Sequence, residues 1–424
     1  MVFSSTMYAQ RPAGTHHPAG IPDNYVITPF GYFHPSCVIG LAKGDTQIDN
    51  GHTIQHKDGS FTGIPACGYP RYSPKGEKIA PDGTQQNIPQ NTPSIGHAWI
   101  EDYSVTTNTS FGILAATWTV PQTPLSNDDQ ILYLFPGLCV YGCSSADPQE
   151  TILQPVLGWN DPYARLGPVW SIASWNCCYD GNNVYSQAVP VNPGDTILGT
   201  IQSTCGAGTL SCSTWNIKTY DETTGGSTSL DSTPSYGQTF NWAFAGVLEV
   251  YNIAQCSDYP PNGQISFSGV YLTDNGFNQI SNPGWTLDPY YPGMTPQCGY
   301  GGQTEATQIA LDYSPNPQAL APAYTSSTTS GPSGCGNSAF GYNNPCYETY
   351  TASVSVAQGE NLYINGTFVG GTTYNYSNTE NWGTGQCAQF GDQGEFCWGY
   401  ANPGPLNAYA TESGYSESSI VNIY

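Results

Sequence analysis

Between residues 98 and 314 the chain is cut again and again by Gly, Pro, Asn and Asp. The pieces between the cuts are short and rich in β-branched and aromatic residues. Strand candidates are Phe111–Val120, Gln130–Phe135, Val169–Trp175, Thr196–Gln202, Ser213–Tyr220, Asn241–Ile253, Gln264–Leu272 and Thr307–Asp312. Turn signals such as Asp180-Gly-Asn, Asn192-Pro-Gly-Asp and Thr224-Gly-Gly separate them. No long run shows the 3.6-residue periodicity of an amphipathic helix. A chain of this kind must bury its apolar residues between sheets, so the expected class is all-β and the expected architecture an antiparallel β-sandwich.

The flanks differ from this body. Residues 1–97 are rich in Pro, Gly and His and poor in strand signals, and read as an irregular N-terminal arm or prosegment. They hold all six histidines (His16, His17, His34, His52, His56, His97), six of the eight Lys and Arg, and six acidic residues. The rest of the chain sets only Arg165 and Lys218 against 25 acidic residues. A near-neutral segment that charges below about pH 6.5 is expected to lie on the acidic body, either as a pH-responsive gate or as a permanently packed arm. Residues 315–334, rich in Pro, Ser and Thr, read as a linker. Residues 335–424, with four cysteines and many Tyr, Asn and Gly, read as a small disulfide-pinned β module, whose Tyr374, Tyr376, Trp382 and Trp398 serve as core or as sugar-stacking platforms.

The net charge of −23 argues against a nucleic acid partner, because duplex binding depends on phosphate neutralisation by Lys and Arg. No apolar run reaches the roughly 18 residues of a membrane span, so no membrane partner is expected. The first ten residues lack a signal-peptide apolar core. Fourteen cysteines without metal-site spacing nevertheless point to an oxidising compartment, hence to a secreted, extracellular protein. The local pairs expected are Cys37–Cys67, Cys205–Cys212, Cys335–Cys346 and Cys387–Cys397, with Cys139–Cys143 a further candidate. Cys177 and Cys178, being adjacent, are each expected to reach elsewhere, to Cys256 or Cys298.

The absence of histidine after His97 excludes a Ser-His-Asp or Cys-His site in the body, unless the arm donates the His, and disfavours an imidazole zinc site. No phosphate-binding or dinucleotide fingerprint is present. No metal and no cofactor is expected. Carboxylate and amide chemistry remains, and two stretches offer it. In Glu150-Thr-Ile-Leu-Gln-Pro155 a strand over Thr151–Gln154, ended by Pro155, puts Gln154 on the face of Ile152. In Phe240–Ile253, Glu249 shares a face with Val247 and Tyr251, with no Lys or Arg near it in sequence, so burial is expected to raise its pKa. Two readings follow: a glycosidase pairing Glu249 with Asp180, Glu150 or another acid, or a peptidase pairing a carboxylate with an amide.

The order of motifs favours the second. Ala116-Thr-Trp-Thr-Val-Pro121, Glu150-Thr-Ile-Leu-Gln154, Pro193-Gly-Asp-Thr-Ile197 and Gly246-Val-Leu-Glu249 follow one another as in the glutamic peptidases of the eqolisin type, which residues 98–314 resemble. Neprosin-type peptidases, with two glutamates, are similar more loosely, and there Glu150 is the candidate partner. The resemblance implies a concanavalin-like sandwich, a polypeptide substrate, and Gln154 and Glu249 as catalytic pair, with Trp170 and Trp175 lining the cleft. Glu249 would act as base and then acid, and Gln154 would stabilise the oxyanion. The chain departs from the eqolisin pattern in reading Glu249-Val-Tyr after the acid; an alternative register puts Gly246 at that place. The expected function is a secreted, acid-acting endopeptidase. The alternative is a non-catalytic sandwich, carbohydrate-binding or structural, that has kept the fold.

Overall fold

The computed structural model describes residues 20–74, 76–85, 99–142, 150–288 and 298–313 in full, and the backbone of Gln86, Ala98 and of strands between 324 and 421. No α-helix occurs among the described residues, only strands and four short 3-10 turns. None of its helices is long and apolar enough to cross a membrane. The chain divides into two compact units, one of residues 1–296 and 300–316, the other of residues 297–299 and 317–424.

The first unit is a two-sheet antiparallel β-sandwich. One sheet has nine strands, eight of them in the spatial order Thr286–Asp288, Ala98–Thr106, Trp242–Tyr251, Ile131–Cys139, Ile152–Trp159, Trp170–Cys177, Asn183–Ser186 and Val38–Leu41. The other has seven, ordered Ser227–Pro234, Thr214–Asp221, Thr196–Ser203, Phe111–Thr119, Gln264–Asp274, Gln308–Asp312 and Gly301–Glu305. The sheets approach closely at glycines. A Cβ on Gly199 would lie 2.7 Å from the Trp118 ring and 2.8 Å from Pro155, and one on Gly246 only 2.4 Å from Phe267. Only a residue without a side chain fits either place at this packing density.

The inner strands of the nine-stranded sheet are buried on both faces, with only Trp242 at one end partly exposed. The second sheet covers one face. The arm covers the other: Val26, Ile27, Tyr32 and Phe33 pack with Tyr133, Phe135, Val156, Trp175, Phe244, Val247 and Tyr251 in one apolar cluster. Residues 20–86 therefore hold more regular structure than their composition suggests. They form nine strands of two to four residues. One of these, Val38–Leu41, joins the main sheet in parallel beside Asn183–Ser186. Such short strands carry little alternation, because their register comes from the body beneath.

Three expectations change. The strand expected to stop at Pro155 runs from Ile152 to Trp159. Proline is tolerated within a sheet at irregular points, and the neighbouring strand has its register shift between Phe135 and Gly137, around Pro136. Cys177 and Cys178 do not reach elsewhere but join each other, with Cα atoms 3.1 Å apart, where the strand ends and a 3-10 turn begins. The span read as a linker contains a strand, Tyr324–Thr328, paired with Cys346–Val356.

Cys37–Cys67 and Cys205–Cys212 form as expected. Cys139, Cys256 and Cys298 are also disulfide-bonded. In the second unit, one of two four-stranded sheets brings Cys387 into register with Cys346 on one side and Cys397 on the other. Cys143 and Cys335 lie outside the described residues, as do the side chains of Tyr376, Trp382 and Trp398 and all of Tyr374.

Candidate functional site

Glu249 is completely buried in the outer face of the nine-stranded sheet, the face under the arm. Three donors hold it. Its Oε1 accepts the Phe30 backbone N–H at 2.7 Å and the Tyr251 hydroxyl at 2.5 Å, and its Oε2 accepts the Trp99 indole N–H at 2.7 Å. Strand pairing explains two of these. Tyr251 is two residues along the same strand and so on the same face, and Trp99 is the cross-strand partner of Glu249. The third arrives from the arm, where Phe30 takes a left-handed φ of 87° ahead of Gly31. Gly31 is obligatory, with φ 126° and the Tyr72 carbonyl oxygen 2.3 Å from where a Cβ would stand. Burial pushes the Glu249 pKa up to about 7, against the opposing pull of the three hydrogen bonds.

A second carboxyl lies close by. Tyr133, the other cross-strand partner of Glu249, donates from its hydroxyl to Asp161 Oδ1 at 3.4 Å, and the same oxygen accepts the Tyr163 backbone N–H at 3.0 Å. Burial raises the Asp161 pKa to about 6. The tyrosines gather into this corner: the Tyr32 and Tyr133 rings stand 5.3 and 6.1 Å from that of Tyr251. Asp161 had no signal in the sequence; it is one Asp in a turn after a strand. Trp99 and Phe30, at sequence separations of 150 and 219 from Glu249, had none either.

Gln154 shares this outer face. It too is completely buried, and neither atom of its amide has a hydrogen-bond partner. Register keeps it away from Glu249. The Glu249 row runs through Tyr133 to Gly158, and Gly158 is four residues from Gln154, about 13 Å along the strand. The strand Ile131–Cys139 also lies between them, adding about 10 Å sideways. The residue abreast of Gln154, across Gly137, is Phe244. The rings of Trp99, Phe135 and Phe244 fill the face between the two polar groups, with centroids 5.2–5.8 Å apart. Gly246, the alternative position for the acid, faces Phe267 of the opposite sheet and belongs to neither group.

Trp175 is the cross-strand partner of Gln154 and lies on its face, whereas alternation turns Trp170 towards the second sheet; both are buried. Glu150 and Asp180, candidates for a glycosidase pair, are partly exposed. None of the groups bonded to Glu249 is a histidine. Among the described residues no set of three or more His, Cys, Asp or Glu is grouped to hold a metal ion.

What this arrangement offers chemically is one carboxyl poised between base and acid near neutrality, a second carboxyl behind a tyrosine, and a main-chain amide seated on the first. Comparison with family models gives no match, and comparison with curated proteins gives none either. Similar solved structures include two of one peptidase. Scytalido-glutamic peptidase with a peptide-based transition state analog is 15% identical, covering 51% of this chain and 98% of that one at a TM-score of 0.36. The same peptidase with a transition state analog inhibitor is 14% identical, with the same coverage and a TM-score of 0.35. Likeness at that level carries no argument about what the present chain does.

Proposed function

We propose that the chain is a secreted peptide hydrolase of the carboxylate type, with Glu249 as the proton-transferring group, and that residues 20–86 hold it closed. The observation that carries this reading is the 2.7 Å hydrogen bond from the Phe30 main-chain N–H to Glu249 Oε1. A polypeptide already lies across a carboxyl whose burial and donors poise it for proton transfer. The motif order from Thr117 to Glu249 supports the same reading.

The arm is built to leave. Cys37 and Cys67 are its only cysteines, and they pair with each other, so no disulfide ties it to the body. It is nevertheless held well, since burying side chains such as Ile27 and Phe33 contributes roughly 1.5–3 kcal/mol each. One cut would therefore leave it in place until further digestion removes it; acid alone favours the covered state, because burial under the arm raises the Glu249 pKa. Once it goes, water returns to Glu249 and its pKa falls back towards the ordinary carboxylate range, which makes the site an acid-acting one. Glu249 would then take a proton from water, direct that water at a peptide carbonyl, and pass the proton to the leaving nitrogen. Gln154, set by strand register about 13 Å along and about 10 Å across from Glu249, would serve as oxyanion donor only after the aromatic partition of Trp99, Phe135 and Phe244 opens and the strands between the two groups shift.

The test is hydrolysis of denatured casein by full-length chain carrying a protease site between residues 86 and 98, before and after cutting, digestion of the arm and incubation at about pH 4. Cleavage appearing after the cut, and lost in Glu249→Gln, is the expected result. The second reading is a sandwich without catalysis, and the isolation of Gln154 opposite Phe244 favours it. Casein left intact by cut, acid-treated wild type would establish that reading instead.

A further inference from the structure

Three side chains form a hydrogen-bonded chain on a small sheet of the arm, apart from the Glu249 hydrogen bonds. The sheet consists of Thr46–Ile48, Thr53–Gln55 and Phe61–Gly63. Asp45 Oδ2 stands 2.9 Å from His56 Nδ1, and His56 Nε2 stands 2.8 Å from the Thr62 hydroxyl oxygen. Register explains the meeting. Thr46 pairs with Gln55, so Asp45 lies opposite His56. Ile54 pairs with Thr62, and alternation puts Ile54 and His56 on one face.

The chain has a direction. Asp45 also accepts the main-chain N–H groups of Ala42 at 3.3 Å and Lys57 at 3.2 Å. An ionised carboxylate only accepts, so it keeps the imidazole proton on Nδ1, and Nε2 of the neutral ring accepts from the Thr62 hydroxyl. The Asp45 side chain is 8% exposed, whereas that of His56 is 32% exposed and Thr62 is exposed too. The base and the hydroxyl are therefore within reach of a solute. Phe61–Gly63 is an outer strand of its sheet. The bonds from His56 N–H to Ser60 and from Ile64 N–H to His52 mark the even positions as paired, so the Gly63 N–H points out from the open edge. Nothing lies within 4 Å of where a Gly63 Cβ would stand. Thr62 and Gly63 line a cavity of about 580 Å³, walled also by Ile39, Ile54, Ile64 and Tyr69.

We infer that the arm carries a second hydrolytic site, which cleaves small apolar esters with Thr62 as nucleophile, His56 as base and then acid, and Asp45 positioning the imidazole. A hydroxyl bonded to a base that a third group orients is the arrangement nucleophilic acyl transfer needs. Thr62 Oγ1 attacks the ester carbonyl while His56 Nε2 takes its proton, and the Gly63 N–H donates to the oxyanion. The ester C–O bond breaks, and the alcohol leaves with the proton from His56. Water then gives a proton to His56 and attacks the acyl-threonine. The acid is released and Thr62 Oγ1 recovers its proton. An alcohol leaves more readily than an amine, so a site with this single edge donor suits esters, and the isoleucines of the cavity suit an apolar acyl group. The inference does not rest on Glu249 or on removal of the arm.

Hydrolysis of p-nitrophenyl butyrate by the uncut full-length chain at about pH 7.5 tests it. Saturable cleavage is the expected result, with kcat/KM lower by about a hundredfold or more in Thr62→Val and in His56→Gln. Thr62→Ser should keep the activity, which a merely structural hydroxyl bond would not require. Asp45→Asn, which reverses the tautomer of the ring, should lower kcat and leave KM unchanged. An alkyl fluorophosphonate should add to Thr62 in wild type and not in His56→Gln, as read by peptide mass. Cleavage unchanged in Thr62→Val would show the imidazole or another group acting alone and would overturn the assignment. So would folded wild type without saturable cleavage. The peptidase reading expects casein cleavage only after the arm is cut and digested, so failure here and failure there are distinguishable.

Discussion

Gln154 and Glu249 occupy the same face of the same sheet, and both are wholly withdrawn from solvent. Glu249 is met by three donors from three parts of the chain, and Gln154 by none. An unpaired buried polar group costs about 1–3 kcal/mol, and a carboxylate would cost more. The fold therefore invests its donors where a charge can reside and leaves the amide unanswered. The difference teaches that arm and body meet around the acid, with the amide kept apart behind aromatic rings.

The largest effect should come from removing the acid. Glu249→Leu leaves Phe30 N–H, Trp99 Nε1–H and the Tyr251 hydroxyl without an acceptor, and should destabilise the full-length chain by about 3 kcal/mol or more in urea unfolding. A loss below about 1 kcal/mol would mean that the three bonds contribute little, and the contrast with Gln154 would collapse.

pH probes the same asymmetry. Burial raises the carboxyls of Glu249 to about 7, Asp161 to about 6, Asp102 to about 7 and Glu101 to about 9. A folded-state pKa above the unfolded one means that the folded protein binds the proton more tightly. These groups' contribution is complete below about pH 4 and is lost as pH rises through about 6 to 9. The thermal midpoint should fall by about 5 °C or more between pH 4 and pH 8. A midpoint that rises over that interval would show these carboxyls to be better solvated than their burial implies.

Trp99→Phe keeps an aromatic ring in the partition and removes one donor. It should cost about 1–2 kcal/mol and move the Glu249 pKa further up, because a bond that favours the charged form is gone. The pH dependence of unfolding in this variant, set against wild type, sharpens the comparison by isolating one donor. The smallest effect belongs to Gln154→Leu. Nothing is left unpaired by it, so stability should stay within about 1 kcal/mol of wild type or rise. If the same variant loses casein cleavage in the cut, acid-treated protein while its stability holds, the amide works only in the opened form. A marked destabilisation would reveal a partner for the amide.

Period-2 alternation made much of the site legible. It placed Gln154 with Ile152, and Glu249 with Val247 and Tyr251. The lack of nearby Lys or Arg foretold the direction of the Glu249 shift. Turn residues marked the sandwich strands, and the spacing of Cys37 with Cys67 and Cys205 with Cys212 foretold those bridges. Register was not legible. Strand pairing sets the row of Glu249, across Tyr133 from Gly158 and four residues from Gln154, and pairing register carries no mark in composition. Nor could strand patterning foresee the Cys177–Cys178 bridge, which depends on how the chain turns after its strand.

The sequence by itself narrowed the candidate chemistry: with no histidine after His97, a triad in the body would need a histidine from the arm, and the body's own candidates are carboxylates and amides. It also determined the sheet faces, because alternation is a local property of an extended backbone. Only the tertiary structure decided which groups meet. Phe30 reaches Glu249 across 219 residues, and Tyr69 shares a cavity with Arg165, because an arm of short strands takes its path from the apolar face beneath it. Such contacts are set by the packing of distant segments, and no local pattern encodes them.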